Sequence, residues 1–398
     1  MMKMDFSGWC IMVLAACVAF PLRASDDGRA VLSSRARITV LTCTPGPDLY
    51  SIFGHSAIRV EDLQGDRMVD EVYNYGTFVF DDQFYYKFVK GHLDYTLSRT
   101  DFGTFQQEYL YTGRGITEQE LRLDSADRQR LYDALIENYK PENRIYRYDY
   151  FFDNCSSRIG EIIRKSVSGD VRFTYVSAEP YTYRDAIDRY LVHMPWSDFG
   201  IDLALGIPCD EVMDRGQDMF LPDSLLKELN LATYRQRGLV SRPMEVIPQE
   251  FYPRAGTVGT PMQVMLLMLL VQVIAFRITS GRLLVTIVDR IILLLTGLAG
   301  LLLLFLWLGT DHHAAAWNLN LLWASPLNLI MAFLPASLLL RAGRRYFSWY
   351  AAALVILLGG WAFFPQNLHE ALLPMVASLG WICLRLILAP RSSPIAEP

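Results

Sequence analysis

Residues 151–160 read FFDNCSSRIG, and the fold of the whole N-terminal half hangs on how this stretch is read. Asp153 and Asn154 form a turn-making pair whose short polar side chains bond nearby backbone N–H groups. Beyond them Ile159, Ile162, Ile163 and Val167 recur at helical spacing. The pattern predicts a helix opening at Cys155. A cysteine there faces unpaired backbone N–H groups and the positive end of the helix dipole, both of which favour a thiolate. Arg158, within one turn, adds positive potential. The same spacing also puts Cys155 on the face of Ile159, where an unoxidised cysteine is a small core side chain, so the helix alone leaves both readings open.

A thiolate nucleophile needs a base. Working outward, the half of the chain that holds Cys155 offers three histidines, His55, His92 and His193. His55 is the best placed. In FGHSAIRV (53–60) it follows Gly54 at the mouth of a strand, where an imidazole projects beside a helix end packed on the same sheet; the plainer reading is a surface turn histidine. RITVLTC (37–43), SAIRVED (56–62) and MVDEVYNYG (68–76) read as half-buried strands. SADRQRLYDALIENYK (125–140) reads as a helix with Ser125 as N-cap, Asp127 in the first turn, and Leu131, Leu135 and Ile136 on one face. Strands and helices are mixed without regular alternation, which makes this half α+β.

A formal net charge of -5 over 398 residues gives no general affinity for nucleic acid, and a 52% hydrophobic composition excludes wholesale disorder. The average hides two regimes, polar and aromatic up to about residue 255 and dominated by apolar runs from Pro261 onward. The first residues carry Lys3, an apolar run from Trp9 to Phe20 and the small Ala24, the layout of a secretory signal cleaved near Ala24. LAAC (14–17) resembles a lipobox, but apolar residues continue past Cys17. Cys43, Cys155, Cys209 and Cys383 are too sparse for a disulfide framework and do not have zinc-site spacing. A Cys43 to Cys209 bridge stays open in an oxidising compartment. No metal or cofactor is called for.

Five apolar stretches, 261–276, 291–309, 321–340, 347–364 and 371–389, approach the roughly 20 residues a bilayer needs. The gaps RITSGR (277–282) and RAGRRY (341–346) carry arginines, while TDHHAAAWNLN (310–320) and PQNLHE (365–370) carry neither Lys nor Arg. The positive-inside rule puts the arginine gaps in the cytoplasm and the others on the exported side. Five crossings then end inside, near Arg391. The resulting division is a signal peptide (1–24), an exported domain (25–235), a linker (236–260), a five-helix membrane domain (261–390) and a cytoplasmic tail (391–398). Asp311, His312, His313 and His369 fall on the side of Cys155, with His369 read as a plain loop residue. Asp289 and Arg290 fall near the cytoplasmic edge, where they pair or snorkel.

A strand-entry histidine, three strands and then NC opening a helix resemble the permuted papain-like arrangement of the NlpC and lecithin:retinol acyltransferase superfamily. A closer resemblance is to Lnb-type proteins, through LTCTPGPDLYSIFGHSAIRV (41–60), YNYGTFVF (73–80), DNCSSR (153–158) and, in the membrane half, TDHHAAAWNLNLLWASPLNL (310–329). That resemblance implies a lipoprotein N-acyltransferase that moves an acyl chain from a phospholipid to the α-amino group of a diacylated lipoprotein's N-terminal cysteine. It implies Cys155 as nucleophile and His55 as base. The position of a second histidine in the retinol-acyltransferase pattern is Arg67 here, and Asn74 on the third strand is taken as the orienting group in its place, against the reading of a polar strand-end residue. Arg158, Asp311, His312 and Asn318 are the candidates for holding headgroup or glycerol, with the 310–320 loop as a mere helix cap the alternative. Backbone N–H groups of Cys155 and its neighbours are the candidate oxyanion donors. Two rivals remain at this point, a membrane-anchored NlpC-like peptidase or amidase acting on the cell wall, and a non-enzymatic sensor or scaffold.

Overall fold

The computed structural model describes residues 30–389 apart from 65–67, 79–81, 169, 175–179, 215, 252–258, 279–281, 336–337 and 340–342. The signal segment (1–24), Arg67 and the tail (391–398) lie outside the described residues. Strands β1 (Arg37–Cys43), β2 (His55–Asp62), β3 (Val69–Phe78), β4 (Asp94–Asp101), β5 (Ile116–Glu120) and β6 (Ile145–Arg147) build one antiparallel sheet in the order β5-β1-β2-β3-β4-β6. Helix α1 (Phe84–Lys90) lies between β3 and β4, α2 (Phe102–Thr112) follows β4, and α3 (Ser125–Tyr139) and α4 (Cys155–Ser166) flank β6 in sequence.

The sheet is covered on both sides. Ile38, Val40, Ile58, Val60 and Tyr73 pack against α3 and α4. Leu41, Ala57 and Val72 pack against Phe102, Phe105 and Tyr109 of α2 on the opposite face. The half-buried pattern expected for β1 is therefore corrected: six of its seven residues are buried, because α2 supplies a second apolar layer. The N-cap of α3 is also corrected by one residue. Asp124, extended and accepting from the Asp127 N–H, caps the helix, and Ser125 is its first residue. The stretch read as a linker, 236–260, contains the edge strand Met244–Ile247, which pairs with β5 and buries Ile247 beside Ile116.

Helices α5 (Tyr183–Leu191), α6 (Pro195–Ala204) and α7 (Pro222–Leu231) complete the first half. The second half is helical: α8 (Pro261–Arg277), α9 (Arg282–Leu308), α10 (Leu327–Phe333), α11 (Gly343–Gly360) and α12 (Leu373–Leu388). The segments Leu283–Leu308 and Glu370–Leu388 are long and apolar enough to cross a bilayer, and α8 is a shorter apolar helix. The stretch 321–340 is not one continuous helix. A 3-10 turn ends at Leu322, Pro326 precedes α10, and α10 stops at Phe333 before Pro335, whose ring and missing N–H break a helical ladder. Gly297 and Gly300 of α9 let this segment approach, since a Cβ on either would collide with the backbone of Leu329 or Ala324. Of Asp289 and Arg290, expected to pair or snorkel, only Asp289 has an ion-pair partner among the described residues. Asp289 meets Arg385 of α12, and Arg290 donates to the Leu334 carbonyl.

Candidate active site

Asn154 makes α4 begin where it does. Its extended backbone and side-chain Oδ1 cap the Ser156 and Ser157 N–H groups at 2.9 and 3.0 Å, and the Ser157 hydroxyl answers by accepting from the Asn154 N–H. The Asn154 amide donates to the carbonyls of Tyr150 and Phe220, so the cap is also pinned from outside the helix. A hydroxyl pair, Ser56 to Ser156 at 2.9 Å, ties the start of α4 to β2 one residue after each of His55 and Cys155.

The β1-β2 register pairs His55 with Cys43, and β2-β3 pairing puts Asn74 on the same sheet face as His55. Asn74 Oδ1 lies 2.6 Å from His55 Nε2. An amide oxygen only accepts, which fixes the proton on Nε2 and leaves Nδ1 for Cys155. Gly76, at φ +108, faces the pair: a Cβ there would stand 3.4 Å from His55 Cε1 and 3.7 Å from Cys155 Cβ.

Electrostatics separate this cysteine from the others. Burial pushes the Cys155 thiol up, but the His55 charge, the His55 hydrogen bond and the Ser56 N–H outweigh it and pull the thiol down from 9.0 to about 7. His55 mirrors this, lowered by burial and raised further by the Cys155 thiolate and by hydrogen bonds to Cys155 and Asn74. Cys43 and Cys209 are pushed up to about 12, chiefly by burial. Both are free thiols, so the bridge left open between them is not formed.

Cys155, His55 and Asn74 line one cavity of about 310 Å³, walled by aromatic side chains that include Phe78, Tyr95, Tyr148 and Tyr150. Among the lining residues that the sequence reading did not single out are the charged Arg114 and Glu108, 4.0 Å apart. Arg114 is buried in the wall, held by the Thr44 carbonyl at 2.8 Å and stacked on Tyr109. Its only sequence signal was an arginine between two glycines in a helix-to-strand turn.

The four candidate substrate contacts are not brought to this cavity. Arg158 forms a two-pronged bond with Asp153 at 2.5 and 2.7 Å and lies 3.6 Å over the Tyr146 ring, so its charge is spent locally and the positive potential at Cys155 comes from His55. Asp311 pairs with His92 and Arg147. His312 stands beside Gly91. Asn318 is buried and donates to the carbonyls of Leu203 and Ala204. The loop is thus a socket joining the two halves, reinforced by Gly206 N–H to the Ala314 carbonyl and Gln366 to the Leu205 carbonyl. His369, read as a plain loop residue, caps Ala371 and pairs with Asp198 at 3.5 Å. Asp198, Asp202 and His369 form a cluster at this junction, where Arg184 already ion-pairs with Asp202 at 2.6 Å. The oxyanion expectation narrows too: Asn154 occupies the Ser156 and Ser157 N–H groups, leaving that of Cys155 itself as the donor outside the cap.

A cysteine opening a helix, a histidine on a strand of the antiparallel sheet and an amide behind the imidazole come together in an α+β domain of permuted papain-like order, here docked on a bundle of apolar helices. Residues 28–189 match the family description "Lnb N-terminal periplasmic domain" and residues 254–391 match "Lnb transmembrane domain". Together the two matches cover most of the chain, which belongs to the Lnb family: membrane proteins with a periplasmic N-terminal domain and a lipoprotein N-acyltransferase-like role. No curated protein and no solved structure matches the chain significantly.

Proposed function

We propose that this chain is a multi-pass inner-membrane lipoprotein N-acyltransferase working by two transfers through Cys155. In the first, His55 Nδ1 takes the thiol proton, the sulfur attacks a phospholipid ester carbonyl, and the C–O bond breaks as His55 returns the proton to the departing lysophospholipid oxygen. In the second, the α-amine of the acceptor lipoprotein's N-terminal cysteine attacks the thioester, the C–S bond breaks, and the amine proton passes to His55 as the amide forms. No electrons are exchanged and no group beyond this chain is needed.

The observation that carries the reading is a thiol pulled down to about 7 beside an oriented imidazole, inside an aromatic cavity on a chain with a membrane half. Thiolate and imidazolium coexist there near neutrality, and an acyl chain seated against the aromatic part of the wall would limit the water that hydrolyses a thioester. Asn74 acts as the positioning group. Arg114 and Glu108, 4.0 Å apart, give the cavity wall a paired charge beside the aromatic rings.

The test is the mass of a lipoprotein N-terminal peptide from cells with the parent chain, with Cys155→Ser, or with neither. The proposal requires an added N-linked acyl chain with the parent alone. An unmodified amine in all three removes the acyltransferase reading. An N-acyl chain gained while one ester-linked chain is lost from the same lipoprotein removes the phospholipid donor and makes the lipoprotein its own donor.

A further inference from the structure

Helix α1 is only seven residues long, FYYKFVK, and none of them is buried. Tyr85, Tyr86, Phe88 and Val89 are 76, 67, 53 and 47% exposed. So much apolar and aromatic surface on one short helix of a soluble domain calls for a covering partner. Two further observations say what it is. The C-terminal end of α1 is fastened to the end of the long apolar helix α9: Lys90 Nζ donates to the Gly309 carbonyl at 2.9 Å, and the Asp311 N–H donates to the Lys90 carbonyl at 2.9 Å. Leu308 and Trp317 at that level are themselves exposed, and Trp317 pairs with Trp307 at 4.9 Å, an aromatic arrangement typical of the bilayer boundary. The α1 face is therefore continuous with the apolar surface of a membrane-crossing helix, at its exported end.

The first turn of α1 leads to the thiol, because Phe84 lies one turn before Phe88 on the same face and stacks on it at 6.3 Å. Phe84 stacks on Phe78 at 5.4 Å, Phe78 meets Tyr95 at 5.6 Å, and both Phe78 and Tyr95 line the Cys155 cavity. We infer that α1 lies in the lipid interface of the exported leaflet, with Tyr85, Tyr86 and Phe88 among glycerophospholipid molecules, and that its Phe84-Phe78 side forms the passage by which an acyl chain leaves the bilayer for Cys155. The interfacial seat rests on the geometry of α1 and α9 alone, and the passage rests on the acyl-transfer reading. A short helix suffices because its aromatic side chains, anchored at a fixed depth by α9, need reach only the headgroup boundary.

Two measurements on the full chain in nanodiscs of phosphatidylethanolamine and phosphatidylglycerol test this. The first uses Tyr85→Asp, Tyr86→Asp and Phe88→Asp combined, reading acylation of Cys155 by bilayer lipid and alkylation of Cys155 by iodoacetamide. Acylation is expected to fall about tenfold or more with alkylation unchanged, because only the route from the bilayer is lost. Acylation equal to the parent's overturns the passage. The second places an environment-sensitive dye on Tyr86→Cys in a Cys155→Ser chain, Cys43, Cys209 and Cys383 being buried. Shallow doxyl-labelled lipid should quench the dye, and an unquenched dye overturns the interfacial seat. Quenching in a chain whose parent shows no lipid acylation upholds the seat and removes the acyl-transfer reading instead.

Discussion

Replacing His55 by Gln removes the charge that makes Cys155 unusual while leaving its burial in place. The parent thiol, at about 7, is roughly half ionised at neutral pH, whereas a thiol at the ordinary 9.0 is about one part in a hundred ionised. With the imidazole gone, burial pushes the thiol up against only the Ser56 N–H and the Ser156 hydroxyl, so the variant's midpoint rises toward the ordinary 9.0. The loss of thiolate is then about fiftyfold at neutrality. A more basic thiolate is also a better nucleophile, by about eightfold over two pH units at a Brønsted slope of 0.4–0.5. The net fall in alkylation rate at neutral pH is therefore about sixfold, and the rate–pH curves of parent and variant should cross, the variant being faster in strong base. Iodoacetamide alkylation of the detergent-solubilised full chain, followed by intact mass across pH, reads this directly, because Cys43, Cys209 and Cys383 are buried and the first two are held at about 12. A midpoint that does not move in His55→Gln, or a parent midpoint at 9.0, would refute the reasoning.

Asn74→Ala deprives the His55 Nε2 proton of its acceptor at 2.6 Å; a hydrogen bond to a charged group contributes about 1.5–3 kcal/mol, so acyl transfer in proteoliposomes should slow roughly ten- to hundredfold and Asn74→Asp should recover part of it. An unchanged rate in Asn74→Ala removes its positioning role. For topology, a cysteine at the exposed His313 should react with an impermeant maleimide added outside, and one at the exposed Arg277 only after permeabilisation; the reverse pattern would show the spans to be miscounted. His369 is raised above 6.5, first by its hydrogen bond with Asp198 and against burial. Its contribution to the junction is thus complete below about pH 6.5 and lost as pH rises through the folded value. The thermal midpoint of the full chain should fall between about pH 6 and pH 8 by more than in His369→Gln, and equal slopes would contradict this.

The α4 start and its strand partner were legible because they are written locally, whereas Asn74 entered only as the substitute for a histidine of the resembled pattern. An Asx turn followed by apolar residues at helical spacing announces an N-terminus, and alternation puts His55 and Asn74 on strands. What sequence did not disclose depends on partners far along the chain. Arg158 reads as a free cation until Asp153 and the Tyr146 ring are seen to hold it. Asn318 reads as a ligand contact on an exported loop because its partners are main-chain carbonyls of Leu203 and Ala204, which leave no side-chain signature. The unbroken third span was an averaging error, since hydropathy over 321–340 hides the two prolines that divide it. Arg114 went unnoticed for the opposite reason: an isolated polar residue in a turn is ordinary until the fold buries it beside a thiol.

The most direct test of the central claim is the intact mass of the purified full chain after incubation in nanodiscs whose phospholipid carries a single known acyl chain. The expected result is one added acyl group on Cys155, removed by hydroxylamine and absent from Cys155→Ser. A parent chain that alkylates with a midpoint near 7 yet acquires no acyl adduct would contradict thioester chemistry at this site.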